Sequence, residues 1–233
     1  MFDPLFTTTT EYKKLSHALS GKGACALFGL PASGRAQVYA ALCRQLDKPL
    51  CIVTPGEAEA TRFAADLNTL GIPAAVFPAR DYVLRPIEGT AREYEYRRLA
   101  VLGELVGGRL RAVAVPAEAL TQFTTPKEDF CANTRTLHAG DTLLRDDLLA
   151  ALFGAGYTRR AQVDGPGQFS VRGDIVDIFA PDQKMPVRME FWGDEIDTLH
   201  TFDLTTQRRE DAIDKFYLSP AREVLFGKPA DAA

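Results

Sequence analysis

The feature that most constrains the fold is a glycine-rich stretch, GLPASGRA, that begins at Gly29. Its two glycines have the spacing of a P-loop, G-x-x-x-x-G-K-[ST], in which backbone N–H groups, a lysine and a hydroxyl hold phosphates and Mg²⁺. Here Arg35 stands at the lysine position and Ala36 at the hydroxyl position. Arg35 is cationic but is not a compact ammonium, and Ala36 offers no oxygen to a metal. The sequence therefore predicts a degenerate P-loop, made of Gly29, Ser33, Gly34, Arg35 and Ala36, that does not hydrolyse ATP.

The segments on either side of the loop fit this prediction. Residues 24–28 are an apolar run that predicts a buried strand leading into the loop. After the loop, apolar residues recur at helical spacing, at Val38, Ala41, Leu42 and Leu46. Strand, glycine-rich turn and helix is the order in which a P-loop occurs. An ordinary turn between a strand and a helix is the alternative, because two glycines alone are weak evidence.

The composition is that of a soluble globular protein. The 233 residues are 46% hydrophobic and have a formal net charge of −4, which disfavours a whole-chain nucleic-acid binder because phosphate binding needs clustered Lys and Arg. No apolar run approaches the ~20 residues of a membrane span and no signal peptide is recognisable, so a cytoplasmic protein without membrane contact is expected. The 4 cysteines include no C-x-x-C pair and the 3 histidines are isolated, so neither a disulfide nor a metal site is predicted. No cofactor is expected.

Residues 24–115 alternate strand and helix patterns. Beyond the loop, strands are predicted at 50–54, 74–77 and 112–115, with one helix from about Glu57 and a longer one through Leu99 and Leu105. Parallel strands need crossover connections, which helices of this kind supply. The chain from 1 to 120 is therefore predicted to be an α/β platform with a parallel sheet.

After residue 120 the pattern changes. A helix with an apolar stripe ends near Gly154, and from Thr158 onward strands dominate, separated by glycine-containing turns. Residues 121–205 are therefore expected to form an α+β insert with antiparallel strands. The last apolar strand, 215–218, is expected to return to the platform, so that 206–233 complete it.

Two long motifs carry a family resemblance: VRGDIVDIF at residues 171–179 and RMEFWGDEID at residues 188–197. With the degenerate loop, residues 88–105, Gly156-Tyr157 and the FYLSP motif at 216–220, they resemble the N-terminal UvrB-homology module of the bacterial transcription-repair coupling factors (Mfd). The resemblance covers nearly the whole chain. It implies UvrB-like domains 1a, 2 and 1b, namely a platform, an insert and a closing segment.

The resemblance also implies a function. The module is expected to be non-catalytic and to recruit the excision-repair protein UvrA to stalled transcription. Carried over position by position, the UvrA-contacting residues are Arg172, Arg188, Glu190 and Trp192, the last replacing a phenylalanine with another aromatic anchor. The family's contacts with RNA polymerase and DNA, and its ATP-dependent DNA translocase activity, belong to regions absent here. The chain is therefore expected to be a fragment of a longer protein.

The excision-repair helicase UvrB shares these motifs and supplies the alternative. UvrB has an intact P-loop and a long, aromatic-rich β-hairpin that it threads through DNA. This chain has only a short connection, 78–93, before its next helix, and Tyr82, Tyr94 and Tyr96 are dispersed rather than clustered for base stacking. Weak or no duplex binding is therefore expected. A nucleotide- or DNA-binding fragment of a UvrB-like helicase remains the second interpretation.

Strand geometry supports the carried-over site. Arg188, Glu190 and Trp192 alternate with Met189 and Phe191, so the first three share one strand face and the other two point into the core. Arg and Trp are enriched in interface hot spots, so a face that bears both is typical of a binding surface. A solvated outer face with an internal Arg–Glu pair is the alternative.

The acidic residues Asp194, Glu195 and Asp197 form a cluster that superficially resembles a helicase metal-binding motif. They follow a predicted hairpin turn, and no intact phosphate loop accompanies them, so solvated turn carboxylates are expected. Asp174 and Asp177 are likewise expected at turns or strand edges. No catalytic residue and no metal ligand are assigned.

Overall fold

The structure, a computed structural model, describes residues 6–21, 24–46, 48–80 and 91–224. They form a mixed α/β fold with several sheets, as expected. The connection predicted to be short, 78–93, lies mostly outside the described residues, and so does Tyr82. Within the described ranges, no helix is long and apolar enough to cross a membrane.

The secondary structure is as follows. The helices are α1 (Thr10–Ser20), α2 (Ala32–Gln45), α3 (Glu57–Thr69), α4 (Ala91–Val106), α5 (Ala117–Leu120), α6 (Lys127–Ala132) and α7 (Arg145–Gly154). The strands are β1 (Leu50–Thr54), β2 (Ala74–Val76), β3 (Ala112–Pro116), β4 (Arg135–His138), β5 (Thr158–Arg159), β6 (Gln168–Arg172), β7 (Ile175–Phe179), β8 (Val187–Trp192), β9 (Glu195–Phe202), β10 (Arg209–Ala212) and β11 (Lys215–Leu218). The strands predicted at 50–54, 74–77 and 112–115 are therefore confirmed to within one residue.

The chain divides into two compact units. One comprises Met1–Ala79 with Gly107–Gln122, and the other comprises Arg80–Val106 with Phe123–Ala233. This grouping differs from the predicted boundaries at 120 and 205, because α4 belongs with the strand-rich unit. The reason is a buried ion pair that α4 makes with the end of the described chain, which the spacing of apolar residues does not reveal.

In the first unit, β3 lies between β1 and β2, and all three described strands are parallel. Every residue of β3 is buried, as expected of a central parallel strand. Ala40 of α2 and Phe63 and Leu67 of α3 form a core with Ile52 of β1. This packing fixes the start of α2, where the glycine-rich loop enters.

The strand predicted at residues 24–28 is wrong. These residues form neither strand nor helix, and all of them are exposed, Phe28 to 88%. The run is apolar but contains two alanines and no β-branched residue, so its intrinsic strand preference is low. The apolar character of the run led to the prediction of a buried strand. The run nevertheless lacks the β-branched side chains that pack well on a sheet.

In the second unit, one described sheet has the strand order β10-β9-β8-β7-β6-β5. Pairing is antiparallel from β6 to β10, as predicted for the insert, and parallel between β5 and β6. One face of this sheet packs against α7. That core contains Leu148, Leu152, Phe169, Val176, Ile178, Met189, Phe191, Ile196 and Leu199. The predicted inward orientation of Met189 and Phe191 is confirmed, since they are 0% and 6% exposed.

The last strand does not return to the platform. β11 pairs antiparallel with β4, which places Phe216 opposite Leu137 within the second unit. Phe216 and Leu218 are buried in the same core as Phe169. The prediction failed because a short apolar strand specifies which of its faces is buried but not which strand it pairs with.

Beyond β11 the chain reaches Glu223, whose carboxylate is fully buried against α4. Arg98, also fully buried, donates to it from Nε and Nη2 at 2.8 to 3.0 Å, and Arg80 donates at 2.7 Å. Burial opposes ionisation, but the hydrogen bonds from Arg98 and Arg80 outweigh it and hold the pKa of Glu223 below its ordinary value. The Glu223 backbone N–H donates to Glu95 Oε1 at 2.9 Å. These contacts join α4 to the end of the described chain.

Helix α7 ends in a Schellman motif that requires a glycine. The N–H of Tyr157 donates to the Leu152 carbonyl at 2.9 Å, and Gly156 between them has φ of +85°. A Cβ at this position would lie 2.8 Å from Arg222 Cβ, which is too close for two carbon atoms. Gly156 is therefore required both by its left-handed backbone conformation and by the lack of space for a Cβ beside Arg222.

Gly156→Ala is expected to lower the free energy of unfolding by about 2–5 kcal/mol, the sum of backbone strain and overpacking. Gly140→Ala is the matched control, because Gly140 has φ of +90° with no atom near the added Cβ. It should cost only about 1–2 kcal/mol. Urea unfolding of both variants measures the difference, and equal losses would contradict the steric role of Arg222.

Candidate functional site

Two hairpins of the larger sheet turn through the same dipeptide, Gly-Asp. Gly173-Asp174 joins β6 to β7, and Gly193-Asp194 joins β8 to β9. Both glycines have positive φ, 61° and 63°, which glycine adopts without a Cβ penalty and which two-residue hairpin loops require. Because β6 and β8 run in the same direction, both turns lie at one end of the sheet, called here the hairpin end. The hairpin turn predicted at Gly193 is confirmed.

Near this end, one buried carboxylate is shared by two arginines. Asp177 of β7 is fully buried and lies opposite Arg188 of β8. Arg188 donates from Nε to Oδ1 at 2.7 Å and from Nη2 to Oδ2 at 2.9 Å, while Arg172 Nη2 donates to Oδ2 at 2.7 Å. Forked guanidinium–carboxylate bonds of this kind are the strong ones in proteins. The expectation that Asp177 lies at a turn or strand edge is wrong, because it occupies the middle of a central strand.

Arg188 is more enclosed than the sequence indicated. Its Nη1 donates to the Gln207 carbonyl at 3.2 Å, and its guanidinium carbon lies 4.7 Å from the centre of the Phe202 ring. Only 9% of the residue is exposed. The hydrogen bonds to Asp177 raise the pKa of Arg188, so the side chain stays charged. Arg188 thus lies on the face opposite Met189 and Phe191, as predicted, but it is buried there because Gln207 in the loop after β9 folds over it.

Glu190 pairs with an arginine that the sequence analysis did not assign to the site. Its Oε1 accepts from Arg209 of β10, and its Oε2 accepts from Thr198 Oγ1 at 3.3 Å. The alternative interpretation expected an Arg–Glu pair within the sheet, and one does form, but with Arg209 rather than Arg188. Asp177 and Glu190 therefore each have their own arginine partners on this face.

Trp192 is the last residue of β8 and is 82% exposed. Strand register places it nearest the turn, with Glu190 one row further in and Arg188 two rows in. Arg172 pairs with Ile175, which in turn pairs with Glu190. The four predicted partner-binding residues thus share one face of the sheet, with Trp192, Glu190 and Arg172 towards the hairpin end and Arg188 in the middle.

Asp177 and Arg209 belong to the site but were not predicted to do so. Asp177 had a usable signal: Val176 and Ile178 are apolar neighbours on the same strand, so the strand alternation points its carboxylate away from their core face. Arg209 had no local signal. It lies 19 residues from Glu190, and only the pairing of β10 with β9 brings them together.

The two positions that depart from the P-loop pattern, Arg35 and Ala36, both contact the protein itself. The side chain of Arg35 donates from Nε to the Leu30 carbonyl at 3.4 Å and forms an ion pair with Glu59 at 4.0 Å. Ala36 is 2% exposed and packs in the core with Ala40. The cation is thus directed at the protein's own groups, and the position of the metal-binding hydroxyl is occupied by a core methyl group.

The chain is therefore expected to show no Mg²⁺-dependent ATP binding. The backbone amides at the start of α2 remain and allow only weak, metal-independent binding of an anion. Isothermal titration with ATP, with and without Mg²⁺, tests this expectation. A micromolar Kd that disappears when Mg²⁺ is removed would contradict it.

The acidic cluster is exposed, as expected, but only Asp194 lies in the turn, because Glu195 and Asp197 belong to β9. Asp194, Glu195 and Asp197 are all exposed, and Asp174 lies in the other Gly-Asp turn, 3.3 Å from Arg145 Nη1. Within the described ranges, no group of three or more His, Cys, Asp or Glu side chains is arranged to hold a metal ion.

Comparisons with known proteins give a consistent result. Residues 136–224 match the family described as UvrB interaction domain. The chain is 35% identical over 208 residues to a transcription-repair-coupling factor of Myxococcus xanthus and 38% identical over 192 residues to that of Mycobacterium bovis, which is 84% and 79% of this chain. It is also 28% identical over 217 residues, 87% of the chain, to UvrABC system protein B of Chlorobium limicola.

The matches cover only part of each relative. The chain spans 17% of the Myxococcus coupling factor, 15% of the Mycobacterium one and 32% of the Chlorobium protein. Two of these relatives therefore contain more than four fifths of their length beyond the matched region. This chain therefore corresponds to only a small part of each of these relatives.

Proposed function

We propose that this chain, which belongs to the UvrB-homology module of the transcription-repair-coupling factors, is a docking module for UvrA. One observation carries the proposal: an almost fully exposed tryptophan stands beside paired arginines at the hairpin end of the domain that matches the UvrB interaction domain. In the parent protein, the module would bring UvrA to stalled transcription. RNA polymerase, DNA and translocase activity would belong to the parts of the parent outside this chain.

The chemistry of the hairpin end supports binding of a protein partner. An indole that is 82% exposed leaves a large apolar surface in contact with water. Burying that surface in a pocket of a partner would be favourable. Arg172, with its side chain 48% exposed, lies on the same sheet end and offers guanidinium donors to a carboxylate. A central aromatic anchor next to a charged, directional group is the usual composition of an interface hot spot.

The proposal includes a division of roles among the four predicted residues. Trp192 and Arg172 present exposed groups, and Glu190 is held in its pair with Arg209. Arg188 is enclosed, so Arg188→Ala would remove the main partner of a buried carboxylate and destabilise the domain. Arg188→Ala is therefore a poor test of the interface.

The second candidate is a nucleotide- or DNA-binding fragment related to UvrB. The similarity to the Chlorobium UvrABC system protein B favours it. The engagement of Arg35 with Leu30 and Glu59 and the burial of Ala36 weigh against the nucleotide part. The net charge of −4 weighs against tight duplex binding.

The test is titration of purified UvrA into this chain by calorimetry, with duplex DNA as a parallel ligand. Both titrations are done at ~150 mM salt, where interactions between exposed charges are screened beyond ~8 Å. Binding to UvrA and none to DNA at submicromolar protein is the expected result. Arg172→Ala should weaken UvrA binding by about 30-fold, equivalent to ~2 kcal/mol.

Arg159→Ala is the matched control, because Arg159 is an exposed arginine on β5 of the same sheet. It should leave the affinity unchanged. Tight, steeply salt-dependent DNA binding together with no UvrA binding would overturn the proposal in favour of the second candidate.

A further inference from the structure

We infer that Asp177 is a positioning residue for partner binding: its buried carboxylate, balanced by Arg188, holds the Arg172 guanidinium towards an acidic group of the partner. The inference rests on the proposed function, because it assigns roles within the same surface. The resemblance implied that Arg188 contacts UvrA, but under this inference it serves as the internal counter-charge of Asp177.

The charges of this cluster do not cancel. Two guanidinium groups, Arg172 and Arg188, share the single carboxylate of Asp177. The neighbouring Glu190 is occupied by Arg209 and Thr198. One positive charge is therefore left over, and a partner that presents a carboxylate would balance it.

The leftover charge is available at Arg172 rather than at Arg188. Arg188 directs three of its donors inward, two to Asp177 and one to Gln207, and its side chain is only 10% exposed. Arg172 has one contact with Asp177, and almost half of its side chain remains in solvent. The partner's carboxylate would therefore meet Arg172.

The contact with Asp177 reduces the entropic cost of that encounter. A free arginine samples many rotamers, and ordering it on binding costs affinity. The 2.7 Å hydrogen bond to a fully buried carboxylate orders one edge of the Arg172 guanidinium beforehand. Asp177 itself is buried beneath this surface and would not touch the partner.

A double-mutant cycle tests this inference. UvrA affinity is measured by calorimetry for the wild type, Asp177→Asn, Arg172→Ala and the double variant. Asp177→Asn should weaken binding about tenfold in the wild-type background and less than about twofold in the Arg172→Ala background, because the residue acts through Arg172. A purely structural role would give the same fold-loss in both backgrounds, and that result would overturn the inference.

A second double variant guards against loss of folding, since Asp177→Asn leaves Arg188 poorly paired. Asp177→Asn with Arg188→Met replaces the buried charges by neutral groups, an exchange that proteins often tolerate. If the variant melts as the wild type does, it should still bind more weakly by about tenfold, because Arg172 has lost its orienting carboxylate. Full affinity in this folded variant would overturn the inference.

Trp192→Ala separates failure of the inference from failure of the proposed function. If Trp192→Ala weakens UvrA binding while folded Asp177 variants do not, the surface is correct and the role of Asp177 is wrong. If the wild-type chain does not bind UvrA at all, the proposed function itself fails.

Discussion

Glu223→Gln is expected to lower the free energy of unfolding by about 3–5 kcal/mol at neutral pH. Glu223 and Arg98 are both fully buried, so the substitution leaves a guanidinium enclosed without its counter-charge. Arg80 loses the same partner. The loss should appear as a lower urea midpoint, and the packing of α4 with the end of the described chain should be lost first. Glu210→Gln is the matched control, because Glu210 is an exposed acid on β10 and its loss should change stability by less than about 0.5 kcal/mol.

The pH dependence of this effect has a defined sign. The folded-state pKa of Glu223 is lowered, so its contribution to stability is complete above the unfolded-state pKa of about 4.3. It is lost as the pH falls through the lower folded-state pKa. The stability difference between the wild type and Glu223→Gln should therefore be constant above about pH 5 and shrink in more acidic buffer. A difference that grows on acidification would contradict the assigned shift.

Phe191→Ala is expected to destabilise the protein by about 3–5 kcal/mol, while Trp192→Ala should change stability by less than about 0.5 kcal/mol. The two aromatic residues are neighbours on β8, but Phe191 is 6% exposed and packs in the sheet core, whereas Trp192 is 82% exposed. Truncating Phe191 creates a cavity in the core, whereas truncating Trp192 removes a side chain that makes little packing contact.

Urea unfolding and UvrA affinity measured on the same two variants separate folding from binding. Phe191→Ala should lower the unfolding midpoint, and under conditions where it is folded it should retain much of its affinity. Trp192→Ala should show the opposite pattern. Equal destabilisation by both variants would show that Trp192 contributes to packing.

Strand alternation was enough to predict the buried face of the larger sheet. Met189 and Phe191 point into the core as their period-2 spacing indicated, and the Gly193 turn lies where the glycine placed it. The same information was not enough for residues 24–28, because an apolar run indicates burial without specifying a pairing partner. It also failed for β11, whose partner β4 lies about 80 residues earlier in the chain.

The candidate site was predictable in part for the same reason. Strand alternation placed Arg188, Glu190 and Trp192 on one strand face, but the exposure of each side chain depends on contacts between distant segments. Gln207 encloses Arg188, and Arg209 neutralises Glu190, through a loop and a strand that follow β9. Side chains brought together by tertiary pairing leave no periodic signal for sequence reasoning to detect.

In the proposed complex, the exposed tryptophan at the hairpin end anchors UvrA. The most direct measurement is the ratio of UvrA dissociation constants for Trp192→Ala and the wild type, with Phe123→Ala as the matched control, since Phe123 is 62% exposed elsewhere in the same unit. We expect at least about 30-fold weaker binding for Trp192→Ala and no change for Phe123→Ala. Unchanged affinity for a folded Trp192→Ala would contradict this expectation.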